Sequence, residues 1–189
     1  LHDAVTAAGL PVRTGITLAK AETRQARTAL HDPEGEIVGD YDLVIDATGA
    51  RSQLAAASVV APDVRELPWG AFWATLDCDG IPHDAQALAQ RYDAARVMIG
   101  VLPVGRGHAG EGRKVAFFWS LKVADADAVQ QAGLARWKAR ILDYWPQTAP
   151  FLDQITDWDQ LALARYAHRT TLPPVADGIA FIGDSAHST

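Results

Sequence analysis

The sequence predicts an α/β domain that is interrupted by an inserted antiparallel β-sheet with helices. Two short apolar strands, at residues 41–47 and 178–182, each run into a turn of small residues, as β-to-α connections do. Between them lie segments rich in aromatic and β-branched residues with short connections, which is typical of an antiparallel sheet. We therefore expect residues 1–58 and 171–189 to belong to one α/β domain and residues 59–170 to be inserted into it.

The first segment, residues 1–58, is predicted to contain two helices and four strands. Its first nine residues place apolar side chains at helical spacing and end at Gly9, a common helix stop. The sequence Asp32-Pro33-Glu34-Gly35 is a strong turn signal between two strand-like segments and predicts a hairpin. The predicted strands are 12–20, 26–31, 36–38 and 41–47, and the second helix is 52–58.

The inserted segment is predicted to combine five strands with two helices. Asp125 is expected to cap one long helix, residues 126–144, and a second short helix is expected at 149–155. The apolar stripe of the long helix consists of Val129, Leu134, Trp137 and Ile141. The predicted strands are 67–76, 88–92, 97–104, 114–122 and 161–169.

Two of these strands carry clusters of aromatic residues. Alternation along a strand predicts Phe72 and Phe118 on one face of the sheet, and Trp73, Phe117 and Trp119 on the other. One face is expected to pack on the helix, and the other to line a substrate pocket. The candidate pocket residues are Phe72, Trp73, Phe117 and Trp119, although aromatic residues of this kind more commonly belong to the core.

Composition and charge limit the class of protein. The hydrophobic content of 49% and charged content of 21% are ordinary for a globular domain. A net charge of -6 without a basic stripe argues against a nucleic-acid partner. Cys78 is the single cysteine, which excludes an internal disulfide and predicts a reducing, cytoplasmic location. The sequence shows neither an apolar run long enough to span a membrane nor a signal peptide.

The two turns that follow strands 41–47 and 178–182 contain the candidate cofactor-binding residues. A glycine lets the backbone approach a ligand closely, and a helix start offers N–H groups to an anion. An aspartate in such a turn accepts hydrogen bonds from sugar hydroxyls, as in a nucleotide cofactor site. Either turn alone is also compatible with an ordinary β-to-α connection, but the pair is more specific. The candidate cofactor-binding residues are Thr48, Gly49, Gly183, Asp184, Ser185 and Ala186.

Neighbouring polar residues are interpreted more simply. His187 has no second His, Cys or carboxylate at ligand spacing, so we expect no metal site and assign it a structural hydrogen bond at the start of a helix. His168 and Arg169 are expected at the surface or at a domain junction. Cys78 lies between two aspartates, which raise the pKa of a thiol, so it is not expected to be a nucleophile.

These motifs resemble those of the flavin-dependent aromatic hydroxylases, the single-component FAD monooxygenases similar to para-hydroxybenzoate hydroxylase. Their Gly-Asp-Ala-Ala-His motif is similar to residues 183–187, and the resemblance implies that Asp184 binds the ribityl chain of FAD. Their Asp-Gly motif, with a serine after two further residues, is similar to residues 48–52. Here Thr48 replaces the aspartate and Ala55 replaces an arginine common in the family, a departure that bears on NAD(P)H handling more than on FAD binding.

The resemblance implies a Rossmann-like FAD-binding domain carrying the inserted substrate domain. The Gly-x-Gly-x-x-Gly unit that opens such domains is not found in the sequence, and the chain starts at Leu1 within a helix-like pattern. We therefore expect a piece of a longer protein, with roughly a hundred further residues on each side. On this view the piece by itself binds FAD poorly and is inactive.

The implied function is hydroxylation of an aromatic or related small molecule with FAD as cofactor and NAD(P)H and O₂ as co-substrates. One alternative is a flavin oxidoreductase of the same fold that does not hydroxylate, such as a reductase or a halogenase-like enzyme. The other is a non-enzymatic binding domain. The expected partner is a small-molecule substrate, a homodimer is allowed, and no nucleic acid or membrane is expected.

Overall fold

The computed structural model describes residues 2–56, 63–107 and 110–188. The chain divides into two compact units, which are described separately below. Unit 1 comprises residues 1–65 and 167–189, and unit 2 comprises residues 66–166. The elements, in chain order, are α1 (His2–Ala7), β1 (Lys20–Arg24), β2 (Arg27–His31), β3 (Ile37–Tyr41), β4 (Val44–Asp46), α2 (Gln53–Ala56), β5 (Asp63–Asp77), β6 (Ala89–Asp93), β7 (Val97–Arg106), β8 (Arg113–Lys122), α3 (Ala126–Gln131), α4 (Leu134–Tyr144), α5 (Ala149–Leu152), β9 (Ala162–Thr170), β10 (Val175–Ala176), β11 (Ile179–Phe181) and β12 (His187–Ser188).

Unit 1 contains two small sheets. Strands β1, β2 and β3 form an antiparallel meander that includes the predicted hairpin. The second sheet has the order β10-β11-β4, in which β11 runs parallel to β4 and pairs Phe181 with Asp46. Apolar side chains from both sheets and from α2 share one core, made of Leu30, Val44, Leu54, Ala55, Ile179 and Phe181.

The predicted boundaries of two strands in unit 1 are wrong. The strand expected at 12–20 does not form, and β1 begins only at Lys20. Gly15 lies in the left-handed region with φ at +71°, which interrupts an extended chain. The strand expected at 41–47 is divided, because Tyr41 ends β3 and β4 comprises only Val44–Asp46. The predicted helix at 52–58 corresponds to α2, and its last two residues lie outside the described residues.

Unit 2 is an antiparallel sheet with helices packed on one face. Its strand order is β9-β5-β8-β7-β6, and both β5 and β9 continue into unit 1. Trp137 on α4 packs edge-on against three aromatic rings of the sheet at centroid distances of 6.2 to 6.4 Å. These rings, Phe72, Phe117 and Trp119, are all buried in the core of the unit.

The predicted assignment of the aromatic residues to the two faces is wrong. The β5–β8 register sets Phe72 opposite Trp119 and Trp73 opposite Phe118, and directly opposed residues share a face. Phe72, Phe117 and Trp119 therefore lie on the helix-covered face, whereas Trp73 and Phe118 lie on the other. Alternation fixes faces within one strand, but only the cross-strand register relates one strand to the next.

The predicted long helix at 126–144 is divided into α3 and α4. Gly133, with φ at +94°, separates them, since this left-handed conformation ends α3 and redirects the chain. Asp125 makes no side-chain capping hydrogen bond, so the predicted cap is also wrong. The helix expected at 149–155 is shorter and ends at Leu152. Among the described residues, none of the helices combines the length and apolar character needed to cross a membrane.

Candidate functional site

The two turns predicted to bind a cofactor lie side by side in unit 1. Because β4 and β11 are parallel, both strands end at the same edge of their sheet. The Ile182 N–H donates to the Asp46 carbonyl at 2.9 Å and extends this pairing to the start of both turns. We call residues 48–51 the first turn and residues 183–186 the second turn. The tertiary structure thus brings together residues that are about 135 positions apart in sequence.

A buried carboxylate, Asp46, holds the two turns together. The side chain is 2% exposed and accepts hydrogen bonds from both turns. Its donors are the Thr48 N–H at 2.9 Å, Thr48 Oγ1 at 2.6 Å, Ser185 Oγ at 3.1 Å and Ser52 Oγ. Burial by itself raises the pKa of the Asp46 carboxyl, but these hydrogen bonds outweigh burial, and the pKa lies below its ordinary value. The carboxylate is therefore charged at neutral pH.

Ser185 provides the direct link between the turns. Its Oγ accepts a hydrogen bond from the Gly49 N–H at 2.9 Å and donates to Asp46 Oδ1. Ser185 is fully buried, so these contacts occur away from water, where loss of a partner is costly. The predicted site residues Gly49 and Ser185 are thus in direct contact, and Thr48 joins them through Asp46.

The glycines of both turns leave room for a ligand. Gly49 and Gly183 have φ at +88° and +56°, and a Cβ at either position would meet no atom within 4 Å. The N–H groups of Ala50 and Arg51, both exposed, donate to no acceptor among the described residues. Exposed backbone donors beside open glycines are the features that a phosphate-bearing cofactor uses. The residues of this site therefore fit a dinucleotide such as FAD.

The second turn differs from the predicted start of a helix. Gly183–Ser185 form a single 3₁₀ turn, after which His187 and Ser188 pair with the last residues of β9. The Thr171 N–H donates to the Ala186 carbonyl at 2.8 Å, so the backbone here bonds to a neighbouring strand rather than along a helix axis. The predicted helix start, and the helical role of His187, are therefore wrong for the described residues. Asp184 is exposed on this turn.

Arg169 is a residue of this site that the sequence interpretation did not include among the cofactor-binding candidates. It is only 6% exposed, and its Nη1 donates to the Ala50 carbonyl of the first turn. Its Nε and Nη2 are buried without a hydrogen-bond partner. Of the two predicted positions, the surface does not apply to Arg169, because alternation along β9 directs its side chain inwards between the exposed His168 and Thr170. Asp46 was likewise not predicted, although its position at the end of an apolar strand is a signal that it faces the turn.

The predicted pocket aromatics of unit 2 fall into two groups. Phe72, Phe117 and Trp119 have exposed fractions of 0, 0 and 2%, which leaves no surface for a substrate to contact. Trp73 lies on the other face, where its ring stacks on Phe118 at 4.8 Å with an interplanar angle of 27°. Its Nε1 donates to Tyr166 Oη at 3.0 Å. Only Trp73 of the four therefore retains access to a ligand.

Other reactive groups lie apart from these turns. The described residues contain no group of three or more His, Cys, Asp or Glu side chains that could hold a metal ion. Cys78 is buried, and burial raises the pKa of its thiol, as do the charges of Asp77 and Asp79. A thiol of this kind is protonated at neutral pH and is a poor nucleophile.

Comparison with known proteins shows which solved structures share the fold of this chain. No known family profile matches the sequence, and no curated protein matches it. Solved structures do match, each at low sequence identity. HpxO of Klebsiella pneumoniae, complexed with FAD and uric acid, superimposes with a TM-score of 0.61 and 19% identity over 93% of this chain and 43% of HpxO. The tetrameric form of 2-methyl-3-hydroxypyridine-5-carboxylic acid oxygenase gives a TM-score of 0.71 and 15% identity over 98% of this chain and 48% of that chain.

A third structure extends the same pattern. The 2,6-dihydroxypyridine-3-hydroxylase of Arthrobacter nicotinovorans gives a TM-score of 0.68 and 13% identity over 91% of this chain and 49% of that chain. The chain thus spans slightly less than half the length of each of these proteins. The predicted fold class, α/β with an inserted antiparallel sheet and helices, is confirmed. This chain has the fold of a portion of these hydroxylases and oxygenases.

Proposed function

We propose that the chain is part of an FAD-dependent monooxygenase that uses NAD(P)H and O₂ to hydroxylate a planar aromatic small molecule. The observation that carries this proposal is the joining of the two glycine turns through Asp46 and Ser185. Such joined turns, open at Gly49 and Gly183, suit a dinucleotide. The shared fold with HpxO, which was crystallised with FAD, supports the same cofactor.

Four residues are proposed to hold the flavin dinucleotide. Gly49 and Gly183 allow close approach of the backbone, and the exposed carboxylate of Asp184 accepts hydrogen bonds from ribityl hydroxyls. Ser185 keeps both turns in place through its buried contacts. Bound FAD supplies the redox chemistry and the activation of O₂. The role of this chain is to fix the position of the cofactor, and the buried Asp46, whose oxygens accept four hydrogen bonds, is not available as an acid or base.

Trp73 is the proposed substrate contact in unit 2. The partly exposed ring of Trp73, which stacks on the buried Phe118, offers a flat aromatic surface on the face of the sheet that the helices do not cover. Planar rings stack favourably on such surfaces. Uric acid in HpxO and the hydroxypyridines in the names of the other two proteins are planar rings, which supports the same substrate class here. We further propose a cytoplasmic protein that forms homodimers.

The test uses the complete protein that contains this chain. We expect it to be purified with stoichiometric FAD, and to consume O₂ and NADH or NADPH in a ratio near one, stimulated by a planar aromatic substrate. Ser185→Ala should release FAD, because it removes the link between the turns, whereas Ser188→Ala makes the same substitution outside the link. A complete protein without FAD, or one that binds FAD but shows no substrate-stimulated O₂ consumption, contradicts the proposal.

A flavin oxidoreductase that does not hydroxylate is the second candidate, and Thr48 favours it. The N–H and the hydroxyl of Thr48 both donate to Asp46. The family motif has an aspartate at this position, with an exposed negative charge, whereas the negative charge here is that of the buried Asp46. This candidate predicts FAD binding and substrate reduction or oxidation without O₂ consumption. A non-enzymatic binding domain predicts no FAD uptake at all. Residues 1–189 alone are expected to bind FAD weakly, and stoichiometric FAD on that piece contradicts this expectation.

A further inference from the structure

An open cleft of about 380 Å³ lies at one end of the sheet in unit 2. Strands β7 and β8 pair from Ile99 and Trp119 onwards, so residues 120–122 of β8 lie beyond this pairing. The cleft is found there, and residues of β5, β8, α3 and α4 line it. Its volume falls within the range of about 300–1,000 Å³ that is typical of small-molecule sites.

Two tryptophans and a valine give this cleft an apolar wall. Trp69 and Val129 are half-buried, so both retain surface that a ligand can contact. Trp119 is 2% exposed, and its Nε1 has no hydrogen-bond partner among the described residues. The Arg140 guanidinium lies over the Trp119 ring, with Cζ at 5.4 Å from the ring centroid, and this cation–π contact holds the charge at the cleft.

The side chains that line the cleft leave it with a net positive charge. Arg96 is paired with Asp93 at 3.0 Å, whereas Lys122 and Arg140 make no ion pair with any of the described residues. Asp125 offsets one of these two unpaired cations, so a single positive charge remains. That charge suits an anion with one negative charge. At neutral pH a carboxylate carries one, whereas a phosphate monoester carries close to two.

We propose that this cleft is a second small-molecule site, which binds an aromatic carboxylate. The Arg140 guanidinium and the Lys122 ammonium bind the carboxylate, and the ring of the ligand lies against Trp69. Trp69 and Trp73 are four residues apart on β5, a separation of roughly 13 Å along a strand, so the cleft is distinct from the proposed substrate contact at Trp73. None of the residues that line it is a proposed flavin contact, so binding here does not require FAD.

The experiment titrates the complete protein that contains this chain with sodium phenylacetate. It follows the indole N–H signals of Trp69 and Trp73, assigned with Trp69→Phe and Trp73→Phe, in ¹H–¹⁵N spectra. Phenylacetamide has the same shape without the charge, and phenyl phosphate carries a second charge. Arg140→Gln and Lys122→Gln each remove one cation from the cleft. The matched control is Arg136→Gln, an exposed arginine of α4 that does not line the cleft. Each variant is first checked for the wild-type amide spectrum.

We expect phenylacetate to shift the Trp69 signal saturably, with an affinity lower by about threefold or more in Arg140→Gln and in Lys122→Gln and unchanged in Arg136→Gln. Phenylacetamide should bind more weakly by about threefold or more. If a cleft variant does not fold, the comparison of phenylacetate with phenylacetamide on the wild type decides. Equal affinity for these two probes, or tighter binding of phenyl phosphate than of phenylacetate, overturns the assignment of a carboxylate. A shift of the Trp73 signal alone, or no saturable shift at Trp69, overturns the site.

Discussion

Replacing Asp46 with asparagine is expected to loosen unit 1 without disturbing unit 2. The substitution preserves shape but removes the charge that attracts the four donors from Thr48, Ser52 and Ser185. Three of these donors are hydroxyls, which can rotate to accept from the new amide. The fourth, the Thr48 N–H, cannot reorient and retains only a neutral acceptor.

The magnitude follows from the type of hydrogen bond that is lost. A hydrogen bond to a charged group contributes about 1.5–3 kcal/mol, whereas a neutral one contributes about 0.5–1.5 kcal/mol. The weakening of the four hydrogen bonds is partly offset, because the variant no longer has to bury a charge. We therefore expect the free energy of unfolding of unit 1 to fall by about 1–3 kcal/mol at pH 7.

The loss should depend on pH with a definite sign. The folded-state pKa of Asp46 is lowered, so its contribution to stability is present above the unfolded pKa of about 4 and is lost as the pH falls through the folded pKa. The asparagine side chain of the variant does not titrate in this range. The difference between wild type and Asp46→Asn should therefore narrow steadily below about pH 4.

Amide hydrogen exchange at Val44–Asp46 and Ile179–Phe181 is the appropriate measurement for unit 1. Tryptophan fluorescence is not, because all six tryptophans lie within residues 66–166. The control is Asp177→Asn, the same substitution at an exposed position of unit 1. Equal protection in wild type and Asp46→Asn at pH 7, or a difference that persists unchanged below the folded pKa, refutes the reasoning.

Three further substitutions or probes test the packing. Gly178→Ala should destabilise unit 1 by about 2–4 kcal/mol, measured by hydrogen exchange, because the new Cβ overlaps Thr28 Oγ1 and φ is +70°. Gly100→Ala should destabilise unit 2 by about 1–3 kcal/mol and change tryptophan emission in urea titrations, because its Cβ overlaps the Phe118 ring that stacks on Trp73. Cys78 should react with a disulfide reagent at least about a hundredfold faster in urea than in the folded chain, since burial raises the pKa of its thiol.

Gly178→Ala has a matched control, and each of the three predictions has a result that would contradict it. Gly35→Ala shares the positive φ of Gly178 but has no neighbour within 4 Å, so it should cost only about 1–2 kcal/mol. Equal losses of unfolding free energy in Gly178→Ala and Gly35→Ala would mean that overlap with Thr28 does not contribute to the destabilisation. Unaltered emission in Gly100→Ala would show that Phe118 has room to move, and rapid labelling of folded Cys78 would contradict its burial.

Much of the fold and part of the site could be predicted from local signals in the sequence. The strands of unit 2, the hairpin at Asp32–Gly35 and the two glycine turns are encoded by nearby residues, because side-chain periodicity and turn chemistry act over a few positions. Motif resemblance also paired the first turn with the second turn. The boundary errors, such as the helix divided at Gly133, arose where one left-handed glycine redirected an otherwise periodic segment.

The remaining features depend on contacts between distant segments, which no local pattern encodes. The register of β5 against β8 decided that Phe72 is core and that Trp73 faces outwards. The parallel pairing of β4 with β11 turned Asp46 from an ordinary strand residue into the buried acceptor for both turns. The same fold enclosed the Arg169 guanidinium beside Ala50. By itself, the sequence determined where the two glycine turns lie and predicted a dinucleotide at them, and the tertiary structure decided which buried charges hold the turns together, because burial and pairing are properties of the assembled chain.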